Sequence, residues 1–101
     1  MILSINEWCQ VIHTNSINKG FARSNKQRPI PELLCLIHSE ISEALEAYRI
    51  GSVLKFNEEI ADACIRLFDL AAEYTIDLEY CIERKHKINL QRPYKHGNKK
   101  I

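Results

Sequence analysis

The sequence predicts an all-α domain, a four-helix bundle, on three observations. Apolar residues recur at three- and four-residue spacing along nearly the whole chain. Residues that start and stop helices bound four such stretches. The length, 101 residues with 46% apolar, leaves room for one hydrophobic core and no second domain. Three Gly and three Pro argue against collagen-like or low-complexity material. No apolar run approaches the roughly 20 residues that span a bilayer, and no basic segment followed by an apolar one opens the chain. A cytoplasmic protein that does not enter membranes is expected.

Ser4-x-x-Glu7 is a capping-box pattern that opens a first helix over about 5–18, with Ile5, Trp8, Cys9 and Ile12 on one side. Trp8 is expected in the core. Gly20 ends this helix, and the polar stretch from Arg23 to Arg28 reads as a loop. Pro29 and Pro31 fall before or in the first turn of a second helix, about 31–49. Its stripe is Leu33, Leu34, Ile37, Ile41, Ala44, Leu45 and Tyr48, and Gly51 stops it. Asn57 can cap a third helix, about 58–74, on which Ile60, Cys64, Leu67, Phe68 and Ala71 recur at helical spacing. Thr75-Ile76-Asp77 is a break, and Asp77 caps a fourth helix over about 78–90. Pro93 closes it, and 91–101 form a basic tail to a single domain of 1–101. Cys9, Cys35, Cys64 and Cys81 lack the close pairing of structural zinc sites and read as small buried thiols.

The net charge of +1 conceals a segregation of signs. Residues 84–101 hold seven basic residues and no acid, a charge of +7; the first 83 residues hold seven basic against thirteen acidic residues, a charge of −6. This division suits a cation site near an anion site. A solvated acidic helix face followed by a basic end would look the same.

Two acidic pairs stand out, Glu40-x-x-Glu43 and Glu59-x-x-Asp62. Side chains three apart share one helix face. If the second and third helices pack antiparallel, four carboxylates converge between them. Such a group repels itself unless cations are bound, and hard oxygen ligands without His or Cys select Mg²⁺ or Mn²⁺. The stripe continues through Arg66, Asp69 and Glu73. It reads either as an outward face or as a buried network at a subunit contact, with Arg66 bridging acids. A di-iron bundle needs two Glu-x-x-His motifs; Glu83-x-x-His86 is one, inside a basic run, and no second follows.

Lys85, Asn89 and Arg92 stand at i, i+4 and i+7 on the fourth helix and its end. A point charge, an amide donor and a bidentate fork suit a polyphosphate. The basic patch is small and interleaves Tyr94 alone among aromatics, so nucleic acid is not the expected partner.

These residues, in this order, resemble the MazG-like all-α nucleoside triphosphate pyrophosphohydrolases. The likeness runs through Lys19-Gly20-Phe21, through Ile37 to Arg49, and through Glu58-Glu59-Ile60-Ala61-Asp62 with Ile65-Arg66 and Asp69-Leu70-Ala71. It continues in Ile76-Asp77-Leu78 and Lys85-x-x-x-Asn89-x-x-Arg92-Pro93-Tyr94-Lys95-His96-Gly97. The resemblance implies that Glu40, Glu43, Glu59 and Asp62 hold Mg²⁺ and carry the catalysis. It implies that Lys85, Asn89 and Arg92 contact the triphosphate. His13 and Phe21 match positions around the nucleobase, with Phe21 where relatives often have Trp, and His96 and Lys99 match tail contacts. The implied reaction is cleavage of a (deoxy)nucleoside triphosphate between the α and β phosphates, in a homodimer or homotetramer whose subunits complete each other's sites. The alternative is a non-catalytic helical module that binds nucleotides or a partner protein on the same scaffold.

Overall fold

The structure, a computed structural model, describes residues 2–95, and these form four α-helices: α1 (Ile5–Asn18), α2 (Ile30–Arg49), α3 (Val53–Glu73) and α4 (Leu78–Leu90). Local chemistry sets their ends. The Ser4 side chain accepts from the Glu7 backbone N–H while the Glu7 side chain accepts from that of Ser4, a complete capping box. Pro29 caps α2, and Pro31 fits in its first turn because the N–H it lacks has no partner there. Asp77 caps α4 by accepting from the Tyr80 N–H. Gly20 and Gly51, at φ +84° and +77°, follow the last turns of α1 and α2 in the left-handed conformation that reverses the chain there.

The start of α3 differs from the sequence expectation. Ser52, not Asn57, caps it, its side chain accepting from the Lys55 N–H, so α3 begins at Val53 and Asn57 lies inside it. A serine directly after the Gly51 turn meets the free N–H groups first, and the helix has no reason to wait for Asn57.

α3 is the central element. It packs against α2 and α1, whereas α4 packs chiefly on α1 and has no buried residue. The α1–α4 junction is polar: the Glu79 carboxylate accepts from the Ile5 N–H, and Asn6 donates to Asp77. The buried apolar residues are Cys9, Ala22, Leu33, Ala44, Ala47, Ala63 and Ala71. Most are methyl-sized, and each buried methyl or methylene contributes only about 0.8 kcal/mol.

Larger apolar side chains lie outside this core. Leu34, Ile41, Leu45 and Tyr48, four of the seven stripe residues expected on α2, are exposed, as are Ile60 and Leu67 of α3. Trp8 is also exposed rather than in the core. Of the four cysteines only Cys9 is buried; Cys35, Cys64 and Cys81 are exposed, against the expectation of four buried thiols. One chain has too few helices to cover every apolar face of α2 and α3. The radius of gyration, 16.2 Å, exceeds the roughly 13 Å of a compact chain of this length. Among the described residues no helix is long and apolar enough to cross a membrane.

Candidate metal and nucleotide site

The buried stripe of α2 is Leu33, Glu40, Ala44 and Ala47, and that of α3 includes Glu59, Ala63 and Ala71. Helical stepping therefore carries two glutamates onto the faces that pack together. Paired contacts run in opposite senses along the two helices, Arg28 with Glu73 and Glu40 with Arg66, so α2 and α3 are antiparallel.

Glu40, Glu43 and Glu59 meet there, each offering a carboxylate oxygen within 4.8 Å of the others. Glu40 and Glu59 are each 8% exposed. Oε2 of Glu59 is buried and, among the described residues, meets no hydrogen-bond donor. Hydrogen bonding to Glu43 and Glu40, burial, and the negative charge of both neighbours push the Glu59 carboxyl up to about 7. Three acids in one place hold together by keeping a proton that water would otherwise take. A carboxylate with an orphaned oxygen, standing in a group of hard oxygen donors, fits a divalent cation.

Asp62 is not in this trio. It lines a cavity of about 760 Å³, whose wall also includes Glu40, Arg66, Asp69, Arg28 and Phe21. Asp62 and Asp69 are seven residues apart on α3, which at 1.5 Å per residue gives the cavity a length of about 10 Å along the helix. Arg66 Nε donates to Glu40 Oε1 at 3.0 Å.

A second acidic group lies farther along α3. Arg28 Nη2 donates to Asp69 at 2.7 Å and to Glu73 at 2.6 Å, and Arg28 Nε donates to Glu73 at 2.8 Å. Tyr74 donates to the Arg28 carbonyl, and Gln27 to the Glu73 carbonyl. Burial works against the Arg28 charge, but the hydrogen bonds and charges of Glu73 and Asp69 outweigh it and raise its pKa. These bonds clamp the loop between α1 and α2, which carries Phe21. The stripe of Arg66, Asp69 and Glu73 is not an outward face: Glu73 is buried, and Arg66 and Asp69 are half-buried. It is partnered within the chain.

His13 Nδ1 lies 2.7 Å from Asp69 Oδ1, and a carboxylate acceptor at that place selects the ring form in which Nδ1–H donates the hydrogen bond. His13 is not on the cavity wall; it stands behind Asp69, which is. Phe21 does line the cavity and is 75% exposed, free to meet a planar group. Lys85 and Asn89 are elsewhere. They line a separate shallow groove on α4 with Cys81, Ile82 and His86. Arg92 follows the end of α4, where its N–H bonds the Asn89 carbonyl. His96 and Lys99 lie outside the described residues.

Helix-face reasoning on the acids found the trio, but it missed Arg28, whose place at the end of a polar loop carries no periodic signal. Compared with known protein families, with curated proteins and with solved structures, the chain matches none of them.

Proposed function

We propose that this chain is a Mg²⁺-dependent nucleoside triphosphate pyrophosphohydrolase of the MazG-like type, producing a nucleoside monophosphate and pyrophosphate. The observation that carries the reading is Glu59: a buried carboxylate with an unpartnered oxygen, crowded by Glu40 and Glu43 beside an open cavity. Glu40, Glu43 and Glu59, with Asp62 on the adjoining wall, would hold Mg²⁺, and Mn²⁺ as a substitute. Bound there, the ion supplies charge neutralisation for the phosphates and acidifies the attacking water. A carboxylate oxygen of the same set accepts the proton of that water as it attacks the α phosphorus in line. Phe21 offers a face for the nucleobase on the same cavity wall.

Lys85, Asn89 and Arg92 are the proposed phosphate ligands. Lys85 and Asn89 line the α4 groove, apart from the cavity, so the reading includes a homodimer or homotetramer that brings an α4 stripe to a cavity. The exposed Leu34, Ile41, Leu45 and Tyr48 and the alanine-rich core support such an assembly. Sedimentation should give a dimer or tetramer; a monomer at micromolar concentration would remove this part of the reading.

The test is incubation with a panel of ribo- and deoxynucleoside triphosphates and Mg²⁺, followed by separation of the products. Monophosphate and pyrophosphate in equal amounts are expected, and none from Glu43→Gln or Asp62→Asn. Undiminished turnover by both variants would sink the assignment. The separation of Lys85 and Asn89 from the cavity favours one rival, a nucleotide-binding module without catalysis. Nucleotides would then raise the melting temperature and never be consumed.

A further inference from the structure

We propose that Arg66 is an exchangeable counter-ion: it holds Glu40 while the acidic trio has no cation, and passes to the nucleotide's phosphates when one is bound. This rests on the metal and nucleotide reading above and adds to it a residue with two successive partners. Arg66 approaches the trio through a single bond, Nε to Glu40 Oε1 at 3.0 Å. Among the described residues no second acceptor meets its guanidinium, and its side chain is 39% exposed against 10% for that of Glu40. Its charge therefore sits at the boundary between the buried Glu40 and the cavity, whose wall includes Arg66, Asp62 and Glu40 together.

Arg28 shows what a fixed arginine looks like in this fold. It meets two carboxylates through both Nε and Nη2, its side chain is 19% exposed, and its backbone is bonded as well. Arg66 has one bond and an open side. A divalent cation among Glu40, Glu43 and Glu59 would compete for the Glu40 oxygen and repel the guanidinium. The released fork suits phosphate oxygens, which accept two parallel N–H bonds. Arg66 thus lowers the repulsion among the acids in the free protein and leaves the trio as substrate and metal arrive.

The test follows Arg66 directly. In ¹⁵N-labelled protein its side-chain Nε–H resonance is identified by its disappearance in Arg66→Lys. In chelator a protected signal is expected, which shifts and loses protection on adding Mg²⁺. It returns at a new position with Mg²⁺ and a non-hydrolysable α,β-methylene nucleotide. In parallel, calorimetry measures Mn²⁺ binding to the wild type and to Arg66→Ala, with helicity checked by circular dichroism. Losing a competing, partly exposed ion pair should tighten Mn²⁺ binding roughly 1.5- to 5-fold, and binding of the analogue with Mg²⁺ should weaken. Mn²⁺ binding to the wild type with an unmoved Nε–H signal, or unchanged or weaker Mn²⁺ binding to Arg66→Ala, overturns the exchange and leaves the metal site standing. No Mn²⁺ binding to either protein overturns the metal site itself.

Discussion

Two acidic groups at different points along α3 have opposite fates. Asp69 and Glu73 share Arg28 in a network of short hydrogen bonds, with His13 closing the remaining side of Asp69. Of Glu40, Glu43 and Glu59, Glu40 alone meets an arginine, through one bond, and among the described residues an oxygen of Glu59 meets no donor. Carboxylates matched by a guanidinium fork are structure: they fix the loop that carries Phe21. Carboxylates gathered beyond their available counter-charge make the candidate site, because only a further cation or proton satisfies them.

The largest effects should separate these two roles. Glu59→Gln removes a donor from the proposed cation site and should abolish pyrophosphate release while leaving the helical signal intact; retained turnover would show that the trio does no chemistry. Arg28→Ala leaves Glu73, whose side chain is 3% exposed, without its cation. Breaking a buried pair from one side costs about 3 kcal/mol or more. Urea denaturation should show that loss, and a loss below about 1 kcal/mol would remove the clamp from the account.

The pH dependence of metal-free stability sharpens the contrast. Glu59 is pushed up to about 7 in the folded chain from an ordinary 4.5, so between these values the folded state holds a proton that the unfolded state has released. Stability must therefore fall as pH rises through this window. Glu7, lowered by its bonds from the Ser4 backbone and side chain, and Asp77, lowered by Asn6 and the Tyr80 N–H, act in the opposite sense. Their stabilisation is lost only as pH falls below the ordinary carboxylate range, so the interval above pH 5 reports on Glu59. The melting temperature in chelator should be higher at pH 5.5 than at pH 8, and Glu59→Gln should flatten that slope. Mg²⁺ should reverse the slope by stabilising the protein more at pH 8, since it competes with the shared proton. A smaller effect is expected at the other end of the cavity. Phe21→Ala should raise KM several-fold with no change in melting temperature, because the ring is largely exposed.

The helices were legible in the residues that end them. Ser4 with Glu7, the Pro29–Pro31 pair and Asp77 each act on backbone groups within a few positions, so spacing alone places them. Asn57 misled because a better-placed Ser52 caps the same helix one turn earlier. The Glu40, Glu43 and Glu59 grouping was legible for a similar reason: two acidic pairs at helical spacing converge if their helices are antiparallel. Asp62 was expected with them but lines the cavity wall instead, a difference within one helix face that periodicity does not resolve. Lys85 and Asn89 were expected at the same site, yet α4 leans on α1 and carries them to a groove of their own.

The sequence by itself determined that this chain is helical, where α1, α2 and α4 lie within a residue, and that acids concentrate on facing stretches of α2 and α3. These follow from local backbone chemistry and from 3.6-residue periodicity. Tertiary structure alone decided which acids are satisfied. Arg28 and Glu73, 45 positions apart, meet because a loop folds back on α3, and no local rule encodes that. The same packing left Glu59 short of a donor and Leu34, Ile41, Leu45 and Tyr48 uncovered. Counter-charge and burial belong to the assembled helices, not to any one of them.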